Sequence, residues 1–151
     1  MSKPLLRAEA IIVRRDGAAV LVQCDRDETF YRFPGGSVEF GETAAEAINR
    51  ELIEEFELRA DIGPLACLNE SITQYDGKQR HDCTVLHWGT VDDSRTQDGL
   101  QHSERPDIQL VWRTMEQLRK KPVYPEGILD FLTEKVAGAV AHLVVRKSYD
   151  D

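Results

Sequence analysis

The sequence predicts an α/β fold, an α/β/α sandwich around a mixed β-sheet. Three observations carry this expectation. Short runs rich in β-branched and aromatic residues recur along the chain, bounded by Gly, Pro, Asn and Asp. A single well-delimited amphipathic helix, residues 43–56, sits among them. A second apolar stripe at helical spacing follows Pro125.

The elements follow in order. Residues 8–15 and the run ending at Cys24 flank Asp16-Gly17, which predicts a hairpin. Phe30-Tyr31-Arg32-Phe33 reads as a short strand stopped by Pro34-Gly35-Gly36. Residues 65–73 and 83–91 read as strands, with a shorter one at 108–112. The polar stretch 92–106 has no periodicity and is expected to be a long loop of the kind that closes over a site. Residues 115–120 allow a turn or two of helix. Pro125 then opens a second long helix, with Ile128, Leu129, Leu132, Val136, Ala139, Val140 and Leu143 forming its buried stripe.

The chain has 151 residues, 41% of them hydrophobic and 30% charged, which fits one domain over 1–151 with a core of its own. Its formal net charge of −8 argues against the electrostatic grip that nucleic acid requires. Cys24, Cys67 and Cys83 are odd in number and form no Cys-x-x-Cys pair, so reduced thiols of a cytoplasmic protein are expected. No apolar run reaches the ~18 residues of a membrane span. Glu9 interrupts the apolar start before it could serve as a secretory signal.

The helix at 43–56 holds the chemistry. Thr43 with Glu46 forms a capping box that fixes its start. Counted at 100° per residue, Ala45, Ile48, Leu52 and Phe56 make the core stripe, and Glu51, Glu54 and Glu55 gather on the adjacent face. Like charges one turn apart destabilise a helix by a few tenths of a kcal/mol per pair. Arg50, with Glu46 and Glu54 one turn either side, offsets part of this. Clustered carboxylates beside a core stripe suit a hard cation such as Mg²⁺ or Mn²⁺; an isolated cluster of this kind would read as a solvated acidic face.

The surrounding spacing removes that ambiguity. Gly36, Glu42, Arg50, Glu51, Leu52, Glu54, Glu55 and Leu58 fit G-x5-E-x7-R-E-U-x-E-E-x-x-U, where U is aliphatic. The segment 36–58 resembles the Nudix box, with Glu57 where that family has glycine. The resemblance implies a Nudix-type fold and attack of water on phosphorus in a nucleoside diphosphate linked to another moiety. It implies that Glu51, Glu54 and Glu55, with Gly36, hold one to three divalent ions, that Arg50 orients them, and that Glu51 and Glu54 take part in catalysis. Mg²⁺ or Mn²⁺ is the expected cofactor and a small nucleotide-type molecule the expected partner. A homodimer is compatible with this reading, which leaves the oligomeric state open. Family members also draw an acid from the region of Glu104 and Asp107, and Glu104 is the expected further catalytic residue. Glu39 is a weaker one.

Glu57 leaves the end of the helix open: either a left-handed exit is kept under strain, or the helix ends elsewhere. Trp88, Phe30 and Tyr75 are residues that could stack on a base, with Trp88 read as core. Arg32 reads as a solvent-facing strand charge, and His81, His87, His102 and His142 as structural. The proline of ADP-ribose-cleaving relatives falls at Thr73 and is absent, whereas Tyr75 lies near a tyrosine found in some dinucleoside polyphosphate hydrolases. The rival readings are a non-catalytic ligand-binding regulator of the same fold and an acidic interaction domain. The first usually lacks the box glutamates, and the second leaves the box unexplained.

Overall fold

The computed structural model describes residues 3–134 and 136–150. Strands β1 (Leu5–Ile12), β2 (Val20–Asp25), β3 (Tyr31–Arg32) and β4 (Gly35–Ser37) precede helix α1 (Ala44–Phe56). Strands β5 (Asp61–Tyr75), β6 (Lys78–Thr90), β7 (Leu100–Gln101) and β8 (Ile108–Arg113) follow, then α2 (Met115–Leu118), β9 (Val123–Tyr124), α3 (Ile128–Glu134) and β10 (Ala141–Ser148). The strands form two mixed sheets, in the orders β10-β5-β6-β1-β4 and β7-β8-β2-β3-β9.

Alternation along the central strands divides the core in two. Ala10, Ile12, Leu21, Leu110 and Trp112 pack with Ile48, Leu52 and Phe56 of α1. Their sequence neighbours Ile11, Val20, Val22 and Val111 pack with Leu118 of α2 and Ile128 of α3. The strands are therefore covered by helix on both sides, as a two-sided apolar pattern requires. All three cysteines are free, and burial pushes the Cys24 and Cys67 thiols up to about 11. No helix among the described residues is long and apolar enough to cross a membrane.

The chain reverses at Asp16-Gly17, where Gly17 has φ 75° and the Arg14 N–H donates to the Ala19 carbonyl over 2.8 Å. The expected hairpin is reduced there to one bridge, Val13 with Val20, because β1 and β2 enter different sheets. The long hairpin of the fold is β5–β6. Its two-residue turn, Asp76-Gly77, has both residues left-handed (φ 53° and 73°), the geometry that matches strand twist. Gly35-Gly36 does not simply stop a strand but forms one: a Cβ on Gly35 would lie 2.0 Å from the Ala8 carbonyl oxygen, so only glycine lets β4 pair with β1.

The second long helix is the main correction. α3 holds Ile128, Leu129 and Leu132 but ends at Glu134, and Leu143 belongs to β10. Gly138 turns the chain at φ 74°. Val144 and Val145 then favour an extended strand, which pairs in parallel with β5 along its full length. The apolar spacing continues through the turn because Leu143 packs against the same cluster from the strand.

Candidate active site

The local sequence builds α1 as expected. Thr43 caps it, accepting from the Glu46 N–H over 3.2 Å while Glu46 Oε1 accepts from the Thr43 N–H over 3.0 Å. Ala47 joins Ile48, Leu52 and Phe56 on the buried face in place of the half-buried Ala45. At the other end Glu57 keeps the left-handed conformation, φ 52° and ψ 36°. Its N–H donates to the Ile53 carbonyl and that of Leu58 to the Leu52 carbonyl, at 3.0 and 3.3 Å. The first is the bond of a left-handed (αL) helix ending, and buried Leu58 returns to the cluster holding Leu52. Glutamate thus occupies the glycine position without altering the exit.

Arg50 organises the acidic face. Its Nε and Nη2 donate to the two carboxylate oxygens of Glu42 at 2.7 and 3.0 Å, a bidentate pair. Nη1 donates to Glu51 at 3.0 Å and to Glu54 at 3.4 Å and lies 3.7 Å from Glu39, while Nη2 also donates to the Ser37 carbonyl at 3.0 Å. These contacts raise the Arg50 pKa, chiefly through Glu42, and hold the Glu42 carboxyl below the usual range. One guanidinium thereby ties the loop before the helix and strand β4 to the helix itself.

The carboxyl of Glu51 lies against Gly36, where a Cβ would come within 2.5 Å of Glu51 Cδ. This contact explains glycine at the head of the motif. Burial, followed by the neighbouring Glu51 carboxyl, pushes the Glu55 pKa well above the ordinary range. Two carboxyls pressed together, one favouring its proton, are a donor set that a divalent cation fits, since its charge would replace that proton. Glu54 is more exposed and turned toward Arg50. Among the described residues no group of three or more acidic, His or Cys side chains converges on one point.

The segment 92–106 is pinned rather than free. Thr96 is fully buried and accepts from Trp112 Nε1 over 3.1 Å, and β7 pairs with β8. Ser103 binds the end of α1: its N–H donates to the Glu55 carbonyl and its Oγ to the Glu54 carbonyl, both at 2.7 Å. His102 Nε2 stands 3.8 Å from Glu55 Oε1, with its ring edge-on to Phe56 at 5.5 Å. Glu104 follows one residue on, with an exposed side chain and its N–H donating to His102 Nδ1. Asp107 is exposed.

Beside this face lies a cavity of about 330 Å³. Its lining includes Arg7 and Glu9 of β1, Asn69 of β5, Asp82 of β6, and Arg32. Contrary to the sequence reading, Arg32 is partly buried. Burial lowers its pKa, Glu9 and Glu55 are the carboxylates that act on its charge, and it lines the cavity. Glu9 is 6% exposed. Its desolvation pushes its pKa up to about 7 against the pull of Arg7 and Arg32. Phe30 and Tyr75 line the cavity, whereas Trp88 packs on Phe131 with ring centroids 5.9 Å apart.

The structure therefore gathers Gly36, Arg50, Glu51 and Glu55, keeps Glu54 at their edge, and ties the Glu104 loop to the helix end. His102, Arg7, Glu9, Asn69 and Asp82 were missed as site residues. For Arg7, Glu9, Asn69 and Asp82 the one signal in the sequence is alternate polar positions on strands, which does not say which face borders a cavity, and His102, just after β7, carries none.

Comparison with known proteins agrees with this geometry. The NUDIX domain family matches residues 4–132. The CTP pyrophosphohydrolase of Escherichia coli (strain K12) is 29% identical over 128 residues, which cover 82% of this chain and 87% of that protein. A NUDIX hydrolase from Nitrosomonas europaea shares the fold with a TM-score of 0.67 at 18% identity, over 97% of this chain and 81% of its own. A UDP-X diphosphatase does so with a TM-score of 0.65 at 21% identity, over 95% and 68%. With its fold, its box geometry and a match over most of its length, the chain belongs to the NUDIX domain family.

Proposed function

We propose that the chain is a metal-dependent pyrophosphohydrolase that cleaves a phosphoanhydride bond in a nucleoside diphosphate joined to another group. The observation that carries this reading is the adjacency of two unlike surfaces. The Arg50-ordered carboxylates stand at one end, and a guanidinium-bearing cavity opens at the other. The E. coli relative named a CTP pyrophosphohydrolase supports the reaction class.

Glu51, Glu55, Glu54 and the Gly36 backbone would hold Mg²⁺ or Mn²⁺. When bound, such a cation offsets phosphate charge and lowers the pKa of bound water. The chain's own residues do the rest. Arg50 fixes the Glu51 carboxyl and limits the repulsion around it. Arg32, which lines the cavity, orients the phosphates of a nucleotide seated there. Glu104, carried by the loop that Ser103 holds at the helix end, accepts the proton of the attacking water.

The test is product release from a panel of nucleoside triphosphates, nucleotide sugars and dinucleoside polyphosphates. Turnover is expected with Mg²⁺ or Mn²⁺ and none with chelator. Folded protein that cleaves none of the panel, or cleaves equally in chelator, overturns the reading.

A further inference from the structure

One face of the β1-β6-β5 sheet is built unlike a core. Arg7 of β1 stands beside Thr84 of β6, which is opposite Asn69 of β5; Asp82 is opposite Ser71, and Arg80 opposite Thr73. These alternate positions all face the cavity beside the box, together with Glu9. Phe30 and Tyr124, in edge contact at 6.1 Å, supply its apolar wall.

Several polar atoms on this floor are paired. Arg80 Nε donates to Asp82 Oδ2 at 2.6 Å, and Arg7 Nη2 to Glu9 Oε2 at 3.5 Å. Two are not. Asn69 Oδ1 and Asp82 Oδ1 are buried and have no hydrogen-bond partner among the described residues. Asn69 as a whole is 6% exposed. Buried acceptors are normally satisfied, and an orphaned one in a cavity marks where a donor is due. Here the two residues stand diagonally on neighbouring strands, their Cα atoms offset by roughly 7–8 Å, and both acceptors require N–H or O–H hydrogens. A base against the aromatic wall turns its hydrogen-bonding edge to them. A nucleotide so seated would have Arg32 of the same cavity within reach of its phosphates.

We propose that this pocket selects its substrate by the amino group of the base: Asn69 Oδ1 and Asp82 Oδ1 accept the exocyclic N–H hydrogens of cytosine or adenine and reject the carbonyl that uracil or hypoxanthine presents there. This rests on the reading of the neighbouring site as a nucleotide pyrophosphohydrolase. The rejection has a direct cause, since a carbonyl oxygen facing a carboxylate oxygen leaves both unpaired in a water-poor pocket. Glu9, whose burial favours its protonated form, adds an O–H donor nearby that suits the ring-nitrogen acceptor of the amino bases.

The test uses matched pairs that differ at this edge of the base: CTP against UTP, and ATP against ITP, with Mg²⁺. The amino member is expected to have a kcat/KM at least about tenfold higher in whichever pair is turned over. Asp82→Asn, which can turn an N–H toward a carbonyl, and Asn69→Leu, which removes an acceptor, should each bring that ratio down severalfold toward one. A structural loss would lower both members alike. A wild-type ratio near one, a preference for the keto base, or a ratio unmoved in both folded variants overturns the proposal. Calorimetric binding of CMP against UMP and AMP against IMP reads the same selectivity without turnover. Tighter binding of the amino member by about tenfold, with no hydrolysis, would uphold the pocket and sink the hydrolase reading; equal binding would sink the pocket.

Discussion

Replacing Glu57 by glycine should stabilise the protein. The residue closes α1 at φ 52° and ψ 36° and its side chain is exposed. A β-carbon in the left-handed region carries a penalty of about 1–2 kcal/mol that glycine does not. Glycine also loosens the unfolded chain, which returns about 0.4–1 kcal/mol of that gain. Removing a negative charge from the negative end of the helix dipole adds a few tenths of a kcal/mol. The balance is a net gain of about 1 kcal/mol, or roughly 2–4 °C in Tm for a chain of this size. Urea denaturation at unchanged m-value measures it directly. Glu57→Ala separates the causes: it removes the charge but keeps the β-carbon, so most of the gain should be missing. A clear loss of stability in Glu57→Gly, or an equal gain in Glu57→Ala, would refute the strain argument.

Glu54→Gln, which keeps shape but removes charge, should lower kcat by roughly 10²-fold with folding intact; unchanged turnover would remove Glu54 from the catalytic set. Glu104→Gln should lower kcat steeply with KM little changed, because a group acting on the attacking water works mainly in the transition state. No change in either constant would leave the water to the box glutamates. Glu9 gives a pH signature. Its folded pKa is raised from 4.5 to about 7, so below pH 4.5 both states hold the proton and burial of the carboxyl adds no charge penalty. As pH climbs through 7 the unfolded state ionises first and stability is lost, by about 3 kcal/mol in total for a shift of this size. The stability of Glu9→Gln relative to wild type should therefore grow between pH 4.5 and 8, by calorimetry or denaturant. A difference independent of pH would show that Glu9 is not desolvated.

Local chemistry was legible in the sequence because it acts over a few residues. The Thr43–Glu46 capping box, the apolar stripe of α1 and the spacing from Gly36 to Leu58 determined the helix and its acidic face, and with them the family. Strands were legible where a β-rich apolar run marks them, as in β8 and the second half of β6. Tertiary structure decided the rest. The stripe from Ile128 to Leu143 has helical spacing, but Gly138 breaks it, and pairing with β5 places its last member, Leu143, on a strand, since a ladder of hydrogen bonds outweighs a weak periodicity. The Asp76-Gly77 turn was as visible in the sequence as Asp16-Gly17, yet which of the two strand pairs stays together depended on how the sheets divide. Whether the left-handed exit survives at Glu57 was settled by Leu58 returning to the core. Glu9, Asn69 and Asp82 came to line one cavity only when β1, β5 and β6 aligned their alternate positions, and Arg32 of β3 joins them from the other sheet. Alternation fixes that such residues share a face, and only the assembled sheets fix what that face looks upon.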